Sequence, residues 1–211
     1  MIAIIDYGVG NLFSLRSSFA AIGYEAVVTS DEAVIAAADH LILPGVGAFE
    51  DAASKLRSSG MADVVLREVK AGKPLLGICL GMQMLFEKSY EYGEHKGLGL
   101  IKGVIRPIKE KHEACGISLK VPQIGWNALC LSESPLWKYI KDGDHVYFVH
   151  SYYGADCDES VIATAEYGVP LTAAVQNENV YGTQFHPEKS GAVGLAILRA
   201  FCELEAGGAM K

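Results

Sequence analysis

The chain has 211 residues, half of them hydrophobic, and a formal net charge of −7. That size and apolar share suffice for one large core, and no Pro-, Ser- or charge-rich linker and no internal repeat divides it. The expectation is therefore a single domain over 1–211. The acidic balance and the lack of a basic stripe argue against a nucleic-acid partner. No apolar run approaches the roughly 18 residues of a spanning helix, and Met1-Ile2-Ala3-Ile4-Ile5 has no basic signal-peptide region. A soluble, cytoplasmic protein is expected. The five cysteines are odd in number, widely spread and form no C-x-x-C pair, so neither a disulfide framework nor a metal site is expected.

Strand candidates at 2–6, 25–29, 39–43 and 74–78 alternate with helical patterns near 11–22, 31–38, 48–58, 61–71 and 81–89. Such alternation predicts a parallel sheet with helices on both faces. The second half differs. Short strands are predicted at 98–106, 117–121, 144–150, 161–166, 171–176 and 179–185, at hairpin spacing, before a last helix at about 190–204. Lys109-Glu110-Lys111-His112 is mixed in sign and reads as a solvated loop. The predicted class is an α/β sandwich, its mostly parallel central sheet joined by short antiparallel strands.

Gly77-Ile78-Cys79-Leu80-Gly81 lies between a strand and a helical pattern. A G-x-nucleophile-x-G turn needs both glycines, because a Cβ at either would strike the neighbouring strand or helix. The turn would aim Cys79 from the strand end with a helix N-terminus beneath it, which favours thiolate. The plain alternative is a buried cysteine between two turn glycines. A nucleophile needs a base and the base an orienter. Gln184-Phe185-His186-Pro187-Glu188 supplies both: His186 to take the thiol proton, Glu188 to hold its far ring nitrogen. His40, His95, His112, His145 and His150 compete, and His150 is the strongest rival because it ends an apolar strand, but no carboxylate stands close to it in sequence.

An oxyanion hole is the third requirement. The Leu80 N–H comes with the turn, and a second donor is expected from Pro44-Gly45-Val46-Gly47, where a strand breaks into a glycine-bounded turn. An ordinary strand-to-helix loop is the alternative. A nucleotide site is set aside. Gly8-Val9-Gly10 starts like a dinucleotide fingerprint, but Phe13 stands where its third glycine belongs, and no Walker lysine motif occurs. No cofactor is expected.

Cys79 in GICLGMQ, His186 and Glu188 in FHPEKS, and the Pro44–Gly47 turn together resemble the class I (triad) glutamine amidotransferases. The resemblance covers essentially the whole chain. Asp6-Tyr7-Gly8-Val9-Gly10-Asn11-Leu12, Val121-Pro122-Gln123-Ile124-Gly125-Trp126-Asn127 and Tyr147-Phe148-Val149-His150-Ser151-Tyr152-Tyr153 narrow it to the branch of glutaminase subunits that serve imidazole glycerol phosphate synthase. One departure is Gln123, where many members of that branch carry histidine. The glutaminase subunits of anthranilate or aminodeoxychorismate synthase are the alternative within the class. A cysteine enzyme of the α/β-hydrolase type would want its acid between nucleophile and histidine in chain order, whereas here the candidate acid, Glu188, follows the histidine. A catalytically idle regulatory module on the same fold is the alternative outside the class.

The resemblance implies that Cys79 attacks the side-chain amide of glutamine, with the Val46 and Leu80 N–H groups on the oxyanion. Gln83, one helical turn beyond Cys79, would face the same pocket, and Gly47, Glu91, Ser151 and Tyr152 match positions that hold the substrate's amino and carboxylate groups; plain polar surface is the alternative for Gln83 and Glu91. With the glutaminase laid out, no part of the chain is left to bind an ammonia acceptor. The resemblance names the acceptor: a (β/α)8 cyclase subunit in a heterodimer, fed with ammonia through a protected channel. Asn11, Trp126 and Lys189 are the implied interface residues, and the isolated subunit is expected to be nearly silent until its partner docks.

Overall fold

The computed structural model describes Met1–Glu205. Its first half runs β1 (Ile2–Ile5), α1 (Leu12–Ala21), β2 (Ala26–Thr29), α2 (Glu32–Ala37), β3 (His40–Leu43), α3 (Phe49–Ser58), α4 (Met61–Lys70), β4 (Leu75–Ile78) and α5 (Leu80–Met84). The second half runs β5 (Phe86–Ser89), β6 (His95–Lys96), β7 (Ile101–Pro107), α6 (Ile108–Ala114), β8 (Gln123–Leu131), β9 (His145–His150), β10 (Tyr152–Ala155), β11 (Val161–Glu166), β12 (Pro170–Asn177), β13 (Val180–Thr183) and α7 (Gly191–Cys202). The main sheet has the order β2-β1-β3-β4-β13-β12-β11-β8-β9, and a smaller one has β10-β7-β5-β6.

From β2 to β13 the main sheet is parallel, and from β13 to β9 it is antiparallel. The sequence explains the division. Strands β1, β3 and β4 are buried at every residue, as parallel strands sandwiched between helices must be. Alternate residues serve opposite layers. Ala3 and Ile5 join the core under α3 and α4, while Ile2 and Ile4 pack with Leu15 and Phe19 of α1 and Ile197 and Phe201 of α7. Helix α3 turns Ala52, Ala53 and Leu56 inward, with Glu50 and Asp51 in its first turn and Lys55 and Arg57 in its last, each sign complementing the helix dipole.

Three local expectations are corrected. The helix predicted at 81–89 stops at Met84, and 86–89 is strand β5. Met82, Leu85 and Phe86 fit helical spacing, but Phe86 pairs with Ile101 in the second sheet, and that long-range ladder overrides the local pattern. The strand predicted at 117–121 is absent, and the strand lies at Gln123–Leu131 instead. Its Ile124, Trp126 and Ala128 all face solvent, so the usual inward apolar alternation is inverted there. The Lys109–His112 loop is helix α6, with Ile108 and His112 as its buried face.

Candidate active site at the carboxyl edge of the sheet

Strand β4 delivers the chain to Cys79, whose φ of 55° and ψ of −112° make it one of four non-glycine residues with positive φ among the described residues. A side chain held in so sparsely populated a region signals a constraint imposed by the surroundings. The glycines on either side supply it. A Cβ on Gly77 would lie 2.8 Å from the Gly81 carbonyl and the Met82 nitrogen, and one on Gly81 would lie 1.9 Å from the Leu43 carbonyl oxygen. The Cys79 N–H donates to the Thr183 carbonyl at 2.7 Å, tying the turn to the end of β13. Helix α5 has only five residues, so the dipole beneath Cys79 is shorter than the sequence pattern promised.

Beside β4, strand β13 leads to His186. The His186 N–H donates to the Tyr147 carbonyl at 3.0 Å, and the Ser190 hydroxyl donates to the His186 carbonyl at 2.6 Å while accepting from the Tyr147 N–H. This staple fixes the loop to β9. Gly194 of α7 approaches so closely that a Cβ there would be 1.9 Å from the Pro187 carbonyl oxygen. His186 Nδ1 lies 2.8 Å from Glu188 Oε1, both side chains nearly inaccessible at 3% and 2%. Burial works to lower the His186 pKa, but hydrogen bonds to Cys79 and Glu188 and the charges of both outweigh it and push the value up to about 9. His186 thus links Cys79 to Glu188, the order expected of the three residues from the sequence.

A cavity of about 330 Å³ opens beside Cys79. Every oxyanion and glutamine-binding residue named from the sequence lines it: Val46, Leu80, Gly47, Gln83, Glu91, Ser151 and Tyr152. Lys189 stands exposed at its mouth, and Glu188 sits behind His186. Leu80, at the first helical position, has an N–H without an intrahelical acceptor, and it adjoins the cavity. Glu91 also has a structural task, because its Oε2 accepts the Phe49 N–H at 2.6 Å and caps α3. Burial raises the Glu91 pKa, and that N–H partly offsets it. Burial likewise raises the Tyr152 hydroxyl, to about 12, with the Glu91 charge adding to it.

Gln83 is buried, which removes the reading of it as polar surface. Its Nε2 donates to the Tyr152 carbonyl at 3.3 Å and to Gln184 Oε1 at 2.9 Å, leaving its own oxygen as acceptor. His150, the rival base, lines the same cavity but is buried at 6% exposure and engaged on both nitrogens, with the Tyr152 carbonyl at 2.7 Å and Gln123 Oε1 at 2.9 Å. Burial lowers its pKa to about 4, aided by His186, with the bond to the Tyr152 carbonyl opposing. Gln123 is therefore interior, bonded to His150 and to Asn127, rather than on the surface.

The proposed interface residues fall outside the cavity lining except Lys189. Trp126 is 54% exposed on β8 and meets the Tyr147 ring edge-on at 6.1 Å, and half-buried Asn11 precedes α1 at the same sheet edge.

Two residues that sequence reasoning missed belong to this site. Tyr7 is buried and its hydroxyl donates to the Pro44 carbonyl at 2.6 Å, pinning the turn that carries Val46. Its only signal was its place in the Asp6–Leu12 segment. Gln184, wholly buried, places Nε2 at 3.8 Å from the Cys79 sulfur. Among the described residues no group of three or more His, Cys, Asp or Glu side chains could hold a metal ion, and no helix is long and apolar enough to cross a membrane.

Residues 3–203 match the family model of glutamine amidotransferase class-I. Imidazole glycerol phosphate synthase subunit HisH of Syntrophotalea carbinolica is 49% identical over 206 residues, covering 97% of this chain and 100% of that protein. The subunit of the same name from Geobacter sulfurreducens is 48% identical, covering 97% and 99%. Among solved structures, a glutamine amidotransferase crystal structure superposes with a TM-score of 0.73 at 21% identity, over 96% of this chain and 98% of that one. PurLQS from Thermotoga maritima superposes with a TM-score of 0.73 at 20% identity, over 95% and 96%. At that identity the superpositions speak for the fold alone, whereas the family match spans nearly the whole sequence. With the nucleophile turn, the His186–Glu188 pair and a lined cavity already in place at one sheet edge, the chain belongs to the class-I glutamine amidotransferase family.

Proposed function

We propose that this protein is the glutaminase subunit of an imidazole glycerol phosphate synthase, a cytoplasmic enzyme of histidine biosynthesis. The observation that carries the proposal is the near-half identity, end to end, with subunits bearing that name, on a chain whose Cys79, His186 and Glu188 are held for acyl transfer. The Cys79 thiolate attacks the carboxamide carbon of glutamine. The oxyanion of the tetrahedral adduct rests on the Leu80 and Val46 N–H groups. His186 hands a proton to the departing nitrogen, so ammonia leaves and a glutamyl thioester remains. It then takes a proton from water, whose oxygen attacks the thioester carbon, and the C–S bond breaks to release glutamate. Glu188 keeps the imidazole ring oriented throughout.

Gln83 offers its oxygen, and Glu91 its second carboxylate oxygen, to the substrate's amino group. Gly47, Ser151 and Tyr152 hold the carboxylate end. Ammonia is protonated and lost as a nucleophile in bulk water, so the acceptor site belongs on a partner over the cavity mouth. That partner is a (β/α)8 cyclase subunit, which makes imidazole glycerol phosphate and AICAR. Asn11, Trp126 and Lys189 meet it, Trp126 as an exposed aromatic anchor.

Glutamate release from glutamine, measured with and without the cyclase subunit and its nucleotide ligand, tests the proposal with Cys79→Ala as control. Strong stimulation by the cyclase that vanishes in the control is expected. Activity indifferent to the cyclase would remove the assigned partner, and no activity under any condition would remove the chemistry.

A further inference from the structure

The orientation of one buried side chain follows from hydrogen-bond logic alone. The Tyr152 backbone carbonyl can only accept, so Gln83 turns its amide nitrogen toward it, at 3.3 Å. That same nitrogen has a second hydrogen, and Gln184 Oε1 lies 2.9 Å away to receive it. With its oxygen committed there, Gln184 must present its NH2 group on the other side, where the Cys79 sulfur stands at 3.8 Å. A backbone carbonyl on β10 thus sets, through two glutamines, which end of an amide meets the nucleophile. Gln184 is fully buried, so no water competes for this bond. His186 is hydrogen-bonded to the same sulfur, so Gln184 is a second side chain that meets it.

We propose that Gln184 is a further catalytic residue of the glutaminase reaction, its amide N–H donating to the Cys79 thiolate and holding the sulfur on line for attack. The bond is strongest when sulfur carries negative charge. That occurs at two points, before attack on the carboxamide and again when the thiolate is expelled from the glutamyl thioester. A neutral donor suits this place better than a cation. It stabilises the thiolate without binding it so strongly that nucleophilicity is lost, and it leaves proton transfer to His186. Gln83 is in this reading a positioning residue for Gln184 as well as a substrate contact. The inference rests on the amidotransferase assignment of Cys79.

The test is alkylation of the full chain by iodoacetamide across pH 5–9, with Cys79 followed by peptide mapping and Cys79→Ala fixing the assignment of its peptide. Exposed Cys115 and Cys130 serve as internal references, and buried Cys157 and Cys202 report loss of fold. Gln184→Met removes the donor, and Gln184→Glu replaces it with an acceptor of the same shape. We expect the Cys79 rate at pH 7, relative to Cys115, to fall on the order of tenfold in Gln184→Met. A larger fall is expected in Gln184→Glu, with the rate–pH profile displaced upward in both. An unchanged Cys79 profile in either folded variant overturns the proposal. So does new labelling of Cys157 and Cys202 in both variants, which would assign Gln184 to packing. Absence of glutamine hydrolysis by the wild-type complex would instead remove the amidotransferase reading while leaving the alkylation result to stand.

Discussion

Gly81 is the position where fold and proposed chemistry are most tightly joined, and Gly81→Ala tests both. The added methyl carbon would lie 1.9 Å from the Leu43 carbonyl oxygen and 3.2 Å from the Pro44 carbonyl carbon, against 3.4 Å or more for ordinary contact. About 1.5 Å of separation must therefore open between α5 and the end of β3. Neither side can give locally. Leu43 is fully buried and paired with Gly77 in β4, and a Cβ on Gly45 would itself meet the Gly81 nitrogen at 2.6 Å. Overpacking where side chains can adjust costs about 1–3 kcal/mol. A clash of backbone with backbone belongs at the top of that range, about 3 kcal/mol.

The functional cost compounds it, because the proposed oxyanion donors Leu80 and Val46 lie on opposite sides of this contact. A misplacement on the order of 1 Å there is expected to lower glutamine hydrolysis about a hundredfold. Urea unfolding at constant m gives the stability loss, with steady-state glutaminase assays of the complex alongside. Gly116→Ala is the control, since Gly116 has a φ of +68° but open space around it, leaving only left-handed strain of about 1–2 kcal/mol. If Gly81→Ala matched Gly116→Ala in stability and kept wild-type turnover, the argument from close backbone approach would fail.

Glu188→Gln keeps the volume of a buried side chain but removes the charge beside His186. We expect kcat for glutamine to fall by roughly two to four orders of magnitude with KM little changed. Because His186 is raised to about 9, its protonated form adds stability that is complete below its ordinary 6.5 and is lost as pH rises through 9. Urea midpoints between pH 6.5 and 9 should accordingly slope downward less in Glu188→Gln than in the wild type. His150 has the opposite sign. Its pKa is lowered to about 4, so the stability it contributes is complete above 6.5 and disappears as pH falls through 4. The lost interval is worth about 3 kcal/mol at most, and His150→Gln should narrow the gap between urea midpoints at pH 7 and pH 4. An unaltered gap would show that another group governs acid sensitivity. Tyr7→Phe deletes the bond to the Pro44 carbonyl, and a loss of about 1 kcal/mol in stability is expected. Glutaminase turnover should fall further than that loss explains, and full turnover would remove the role of Tyr7 in holding the 44–47 turn.

The sequence alone determined the parallel half of the fold and the two local motifs around Cys79 and His186, because each rests on short-range constraints. The short, mostly apolar runs of β1, β3 and β4, alternating with helical patterns, read as strands buried on two faces, and Gly77 and Gly81 bracket a turn centred on Cys79. His186 and Glu188 are two residues apart, so their pairing was legible without knowing the fold. What the tertiary structure decided depended on partners distant in the chain. Phe86 left a helical pattern to join Ile101, and β8 was hidden because its apolar Ile124 and Trp126 face outward. Gln184 and Tyr7 stand inside segments singled out in the sequence, but nothing local tells what either side chain touches. Their meaning comes from Cys79, 105 positions away, and Pro44, 37 positions away, and a hydrogen bond between residues so far apart exists only once the sheet has brought two loops together.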